Sequence, residues 1–506
     1  MRALGKFRGY HSDPQWLFPP RPGDLIPDDD LVWVINDVVD TLDLTAMEKR
    51  YSHYGAEAFM PRLQLKLLMY GYSQGILSAR RLAWLARREA GGMVLAGGQT
   101  PSYSTISRFR KNFSLEIADL FHQVLAICIQ MGMVSFGELY LDGSKIRANA
   151  SKRKANTANR LEAKLAVLRQ EVEELLLQAD AVDEEEDAKY GAESDTAVPD
   201  ALHDKQTRIE KIEASLDALQ ARAAEEDRSL QGKDQINFTD QDSRIMKTSN
   251  DGFQQCYNAQ AVVDPKYLVI VAADVTQQAT DYRQLIPMLQ LAQTNLGRPL
   301  SAIVADAGYH SCDNLKHCVE HHVDGYIPLN KEAKQQQHGG STSPRRPDEE
   351  AKPLQKKDFV YDADEDVYRC PRGEVLRPAP RPQNRVKTAR TPYRSQVEVC
   401  QACPLLARCV SSGRGYRTVT RGPGDRLRDE MYRKLRTPEG QGLYAKRKYT
   451  VEPVFGLQKA GMGFGRFSCR GLVSAKTEYL FVSTVHNVKR IWHAIRNGLQ
   501  WQPNQG

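Results

Sequence analysis

Apolar residues recur at helical spacing through roughly the first 135 positions, and the period then changes. MPRLQLKLLMYGYSQG (60–75) and SARRLAWLARREAGG (78–92) place apolar side chains every three or four residues and close on glycine, which predicts two helices. In PSYSTISRFRKNFS (101–114), Ser102 or Ser104 is suited to cap a short basic helix. From GELYLDGSKIRANA (137–150) onward the pattern is strand-like: Leu139, Leu141, Ser144 and Ile146 read as a short strand followed by a turn, with Asp142 at the strand's end. GFQQCYNAQAVVD (252–264) and YLVIVAADVTQ (267–277) are two further strands, separated by an Asp-Pro break. DYRQLIPMLQLAQTNLG (281–297) has helical spacing and a glycine stop, and LSAIVADAGYH (300–310) is a buried-type strand that ends in Asp306. A helix, CDNLKHCVEHH, and a strand, DGYIPLN, follow. This order predicts a mixed α/β sheet.

Two insertions interrupt that sheet. Between about 152 and 245, Leu161, Leu165, Leu168, Val172 and Leu175 form one apolar seam, and Ile209, Ile212, Leu216 and Leu219 form another. An acidic, alanine-rich link joins them, so an antiparallel helical hairpin is expected. Between about 331 and 440, KEAKQQQHGGSTSPRRPDEEAKP has the composition of a disordered linker, and a cysteine-bearing segment follows it. The expected divisions are therefore a helical domain at 1–135, a sheet at 136–330 that carries the hairpin, a linker and cysteine-rich insertion at 331–440, and a helical return at 441–506.

Composition narrows the partners. With 41% hydrophobic and 26% charged residues the chain reads as a folded, soluble protein. No run approaches the ~18 apolar residues of a membrane span, and MRALGKFRGYHSDPQW lacks the apolar segment of a secretory signal. The expectation is a cytoplasmic protein with no membrane association. The formal net charge is +7, and the acidic stretch from Asp180 to Asp204 masks a more basic remainder. Basic residues cluster at Lys145–Lys154, Arg208–Lys211, Arg381–Arg394 and Lys446–Lys448, which suits a polyanion. The two predicted N-terminal helices, a turn and the basic third helix fit a helix-turn-helix, with Arg108, Arg110 and Lys111 as DNA contacts. A helical bundle with a solvated basic face fits the same residues.

Candidate chemistry centres on three acids. Asp142 and Asp306 sit at predicted strand ends, and the carboxyl ends of neighbouring strands in an α/β sheet converge on a crevice. Carboxylates gathered there suit Mg²⁺, a hard cation that keeps waters and takes phosphate oxygens. Glu452, in YAKRKYTVEPVFGLQKAGMG (444–463), lies on a predicted helix among Arg447, Lys448 and Lys459, as a residue would where a metal and a phosphate backbone meet. Each acid alone fits a turn or capping role equally well. Asp240 and Asp242 fit turn or ion-pair roles better.

The blocks around these acids resemble those of the DDE transposases of bacterial insertion sequences. YLDGSKIRANAS (140–151) resembles the block around the first catalytic Asp, GFQQCYNAQAVVD the second and third strands, and VADAGYHS (304–311) the second-Asp block. Tyr444, Arg447, Glu452 and Lys459 resemble the Tyr-Arg-Glu-Lys signature of that family. One spacing departs from it: four residues, not three, separate Arg447 from Glu452, so Lys448 occupies the expected Arg position. The resemblance implies an RNase H-like catalytic core and a bacterial, nucleoid-associated setting. It implies catalytic and metal-binding roles for Asp142, Asp306 and Glu452 with two Mg²⁺ (or Mn²⁺) ions. It also implies phosphodiester hydrolysis at the terminal inverted repeats of double-stranded DNA, followed by attack of the freed 3′-hydroxyl on target DNA, by a homodimer. Tyr444, Arg447, Lys448 and Lys459, with Lys145 and Arg147 past the first strand, would contact DNA.

Cys370, followed by Cys400, Cys403 and Cys409 in CQACPLLARC, can surround a tetrahedral structural Zn²⁺; a set of buried reduced thiols is the alternative. A similar cysteine pattern occurs in one group of these transposases. Two other functions compete. A haloacid-dehalogenase-type phosphatase needs a second Asp two residues from the first, and positions 140 and 144 are Tyr and Ser. A catalytically inactive, transposase-derived DNA-binding protein would not need all three acids.

Overall fold

The computed structural model describes residues 21–51, 57–190, 200–225, 227–248, 251–329, 353–380, 390–410 and 415–501. They fall into two compact units, Met1–Ser301 with Arg447–Gly506, and Ala302–Lys446. The architecture is mixed α/β with a helical N-terminal region.

The first unit opens with helices α1 (Leu31–Thr41), α2 (Pro61–Ser73), α3 (Ala79–Arg88), α4 (Tyr103–Asn112) and α5 (Ser114–Gln130). Their starts follow local chemistry. Asp30 caps α1 by accepting from the Val32 N–H at 2.9 Å, Pro61 occupies the first position of α2, and Ser102, rather than Ser104, caps α4 through the Thr105 N–H.

Strand β1 (Glu138–Arg147) is followed by the long helices α6 (Ala158–Tyr190) and α7 (Asp200–Glu225). Leu161, Ile212 and Leu219 are buried together there, with Leu165, Leu168 and Leu216 packed against them. The chain returns through β2 (Arg244–Thr248), β3 (Gly252–Asp264), β4 (Val269–Thr276) and α8 (Leu285–Leu296). The thirteen-residue β3 is the axis of this sheet: it pairs antiparallel with β1 on one edge and with β2 and then β4 on the other. Its side chains from Cys256 to Asp264 are buried almost without a break, because both faces are covered. Gly297 ends α8 in the left-handed region at φ 64°, a conformation glycine adopts without steric cost.

The second unit begins with β5 (Ala302–Ala305), α9 (Cys312–Glu320) and β6 (Asp324–Tyr326); β5 and β6 pair in parallel. Five short strands follow: β7 (Val360–Asp362), β8 (Val367–Arg369), β9 (Val375–Pro378), β10 (Thr391–Arg394) and β11 (Thr418–Arg421). They form an antiparallel sheet in sequence order, with Phe359, Tyr368, Leu376, Tyr393 and Val419 as its core. Helix α10 (Asp425–Lys434) completes the unit. Helix α11 (Pro438–Gly456) then runs from the second unit into the first, and α12 (Leu472–Arg496) lies wholly in the first.

Helix α12 is fastened to β4 by side chains that bond strand backbone. Asn487 donates to the Ile270 carbonyl and accepts from its N–H, each at 2.9 Å, while His486 bonds the Leu268 carbonyl at 2.9 Å. Asp240 and Asp242 anchor the start of α12: Asp242 accepts from the Leu472 N–H at 2.8 Å, and buried Asp240 accepts from the Tyr257 hydroxyl at 2.7 Å and the Gly471 N–H. Both are structural acids, as their sequence setting suggests.

One expectation needs correction. Asp142 is not at the end of its strand: β1 continues five residues past it to Arg147. Gly143 is extended within β1, and its missing side chain makes room for packing. A Cβ at that position would lie 2.3 Å from Gln260 Nε2 and 2.7 Å from Asp281 Oδ1. The linker expected over KEAKQQQHGGSTSPRRPDEEAKP lies, but for its last residue, outside the described residues, and the cysteine-bearing segment after it holds the five-stranded sheet. No single helix among the described residues is long and apolar enough to cross a membrane; the bent pair α4 and α5 passes that test only together.

Candidate active site

Successive residues of a strand point to opposite faces, so β1 carries two different surfaces. On one, Asp142 Oδ2 accepts from Arg447 at 2.8 Å, and two residues on Ser144 Oγ accepts from Lys459 Nζ at 2.5 Å. Arg447 is nearly sequestered, with 7% of its side chain exposed, whereas Asp142 keeps 17%. Asp142 Oδ1 also accepts from the Gly143 N–H at 2.8 Å. Burial pulls the Lys459 ammonium below its ordinary pKa, while the charge of Asp142 opposes that shift.

Helix α11 supplies Arg447 through its inward stripe. Arg447, Thr450, Val451 and Val454 are buried, and Lys448, Tyr449 and Glu452 are exposed. Pro453 lies inside the helix, where it has no N–H to donate and crowds the carbonyl four residues back. The chain relaxes just after it into a π-helical turn, Leu457–Gly461, which holds Lys459. Such turns are frequent where a side chain must be re-aimed at a functional site. The spacing anomaly in the sequence now has a structural counterpart: Arg447, not Lys448, is the residue that reaches Asp142. Glu452 lies one turn beyond Lys448, on the same exposed side of α11.

On the other face of β1, Lys145 donates to Asp281 at 3.2 and 3.3 Å. Asp281 Oδ1 also accepts from Asn258 (2.6 Å) and Gln260 (2.8 Å), the β3 residues opposite Lys145 and Gly143. The pleat therefore directs Lys145 to the face opposite Asp142 and commits it to a carboxylate. Arg147 is exposed, 3.7 Å from Asp251. Asp281 was missed in the sequence. Its one signal was position: it follows a strand and precedes a helix, the same setting that singled out Asp306.

In the second unit, Asp306 directly follows β5 and caps the turn Ala307–Tyr309 by accepting from the Gly308 N–H at 2.7 Å. Among the described residues, no three His, Cys, Asp or Glu side chains stand in an arrangement ready to hold a metal ion. In the N-terminal helices Arg108 and Lys111 face solvent. Arg110 turns inward, donating to the Tyr72 hydroxyl at 3.3 Å and the Leu77 carbonyl at 3.1 Å.

Cys370, Cys400, Cys403 and Cys409 line one cavity of about 50 Å³ in the second unit, with Ser395, Arg372 and Arg417. Cys400 Sγ is 2.8 Å from Ser395 Oγ. Burial raises the pKa of the Cys409 thiol, and the three neighbouring thiols add to the rise.

Two family models match the chain. One, described as a transposase DDE domain, covers residues 369–492; the other, described as a transposase domain (DUF772), covers residues 21–112. No curated protein and no solved structure matches it. The matches fall on the Arg447–Lys459 segment at one end and on the helices from α1 to α4 at the other, and they lend no support to an inactive, merely DNA-binding derivative. Over these two stretches the chain is similar to transposases, and together the matches support a DDE transposase of the insertion-sequence type.

Proposed function

We propose that the chain cleaves phosphodiester bonds at the terminal inverted repeats of a mobile DNA element and joins the freed 3′-hydroxyl to target DNA. DDE transposases as a class act on DNA and generally use divalent metal ions such as Mg²⁺. The observation that carries the reading is the pairing of Asp142 with nearly buried Arg447, beside Lys459 on Ser144, on the strand-and-helix scaffold where the resemblance expects the first Asp and the Tyr-Arg-Glu-Lys signature. In this reading β1, β3 and β4 belong to an RNase H-like core.

Asp142, Asp306 and Glu452 would hold two Mg²⁺ or Mn²⁺ ions. All three are hard oxygen donors, and Glu452 is exposed and available. When bound, the ions supply an activated hydroxyl nucleophile and stabilise the leaving oxygen. Arg447 holds the Asp142 carboxylate in a fixed direction. Lys459, Lys448 and Tyr444 meet phosphate oxygens, Arg147 meets them from the face of β1 opposite Asp142, and Lys145 on that same opposite face supports the strand. Arg108 and Lys111 contact DNA from the N-terminal helices, while Arg110 braces them. The protein acts as a homodimer. A structural Zn²⁺ among Cys370, Cys400, Cys403 and Cys409 would tie the second unit's sheet together; thiolates are soft ligands for that ion, and the four, which line one small cavity, would have to close further around it.

The test is incubation of purified protein with DNA carrying the element's terminal repeats, with Mg²⁺, with Mn²⁺ or with chelator. Nicks at the repeat ends and joined products only with the divalent ions are expected. Absence of both products with either ion contradicts the reading.

A further inference from the structure

A groove of about 530 Å³ in the first unit is lined by Arg147, Lys152, Arg153, Gln254, Gln255 and Arg466. Of its cations, Arg466 is held without being neutralised. Arg466 donates from Nε to the Ala148 carbonyl (3.2 Å) and from Nη2 to Asn149 Oδ1 (3.1 Å). Next to it, Arg470 donates to the Asn149 carbonyl at 3.2 Å. The segment that carries them is laced to the end of β1: the Phe467 N–H donates to the Arg147 carbonyl (2.8 Å), and Asn149 Nδ2 to the Ser468 carbonyl (2.7 Å). Among the described residues every partner of these two guanidinium groups is neutral. Elsewhere in the first unit Lys66, Lys145, Arg228 and Arg447 each sit on a carboxylate. Here Arg147 alone has one, an exposed pair with Asp251 at 3.7 Å. Among the described residues Lys152, Arg153, Arg466 and Arg470 form no ion pair.

Cations fixed in direction by neutral acceptors and left with their full charge suit an extended polyanion whose oxygens complete the hydrogen bonding. We propose that this groove binds double-stranded DNA backbone outside the cleaved bond, a proposal that rests on the reading of the chain as a DNA transposase. Asp142 and Arg147 are five residues apart on one strand, about 17 Å of backbone at ~3.4 Å per residue, and their side chains leave opposite faces of it. That span is about five phosphates along one DNA strand. The two amides, Gln254 and Gln255, add neutral polar lining and no opposing charge.

The experiment measures binding of the full chain to a labelled random-sequence duplex across a salt series, by fluorescence anisotropy in chelator. The triple variant Lys152→Ala, Arg153→Ala, Arg466→Ala is expected to lower the slope of log affinity against log salt by roughly 2.7, about 0.9 for each lost phosphate contact. The charge-keeping triple Lys152→Arg, Arg153→Lys, Arg466→Lys is expected to retain the wild-type slope. Should the alanine triple fail to fold, Arg153→Ala alone, on an exposed turn, is expected to lower the slope by about 0.9. A slope unchanged in the alanine variants overturns the proposal, as does an equal loss in the charge-keeping triple. Neither readout involves cleavage, so failure of divalent-dependent cleavage would contradict the functional reading and leave the groove result standing.

Discussion

Exchanging Arg447 for Gln removes one partner of a nearly buried ion pair, and exchanging Lys448 for Gln removes a solvated charge one residue away. Truncating one side of a fully buried pair costs about 3–5 kcal/mol, because the other charge is left without compensation. Asp142 retains 17% exposure and a second donor in the Gly143 N–H, so a smaller cost, about 2–3 kcal/mol, is expected here. Lys448→Gln is expected to stay within about 0.5 kcal/mol of wild type, as exposed substitutions do. The described tryptophans, Trp33, Trp84, Trp492 and Trp501, belong to the first unit, so urea unfolding followed by tryptophan fluorescence reports that unit. A double-mutant cycle with Asp142→Asn isolates the pair, and a coupling of at least about 1 kcal/mol is expected. Equal stability of the two single variants, or a coupling near zero, would refute the assignment of Arg447 as the partner of Asp142.

Buried His486 has its pKa lowered to about 4, chiefly by burial, with Lys489, Arg490 and His493 adding repulsion. The unfolded chain takes up that proton first, so stability is fully present above pH ~6.5 and falls towards pH 4, by up to about 1.4 kcal/mol per pH unit; unfolding of His486→Gln should show a flatter profile over that window, and an equally steep one would argue against it. Arg110→Ala should lower the stability of the N-terminal helices, whereas Arg108→Ala and Lys111→Ala should leave stability alone and each reduce the salt slope of DNA binding by roughly 0.9; the opposite pattern would return Arg110 to the DNA surface. Metal analysis of purified protein should find zinc near one equivalent, lost in a Cys400→Ser, Cys403→Ser variant, and a folded protein without zinc would leave the thiols as reduced lining of their cavity.

Strong periodicity is legible in the sequence, and side-chain direction is less so. GFQQCYNAQAVVD has the bounds of β3, because an uninterrupted run of buried positions leaves little freedom. The glycine stop of 281–297 became the left-handed cap at Gly297, although α8 starts four residues later than its pattern suggested. β5 is shorter than the run 300–310, because Asp306 turns the chain by capping its own next turn. The strands of the cysteine-bearing insertion are three or four residues long, too short for a period-two pattern to show. Direction was the least legible property. Nothing local to YSTISRFRKN says that Arg110 points inward while Arg108 points out, and nothing local to LDGSK says that Asp142 and Lys145 occupy opposite faces. Those outcomes depend on Tyr72, Arg447 and Asp281, which lie between 38 and 305 residues away.

The central claim is that Asp142, Asp306 and Glu452 form one metal-dependent catalytic set. The most direct test is cleavage of terminal-repeat DNA in Mg²⁺ by Asp142→Asn, Asp306→Asn and Glu452→Gln, with end binding measured alongside. Each variant is expected to bind the ends nearly as well as wild type and to give no cleavage product. Normal cutting by any one of the three would remove that residue from the set and contradict the account.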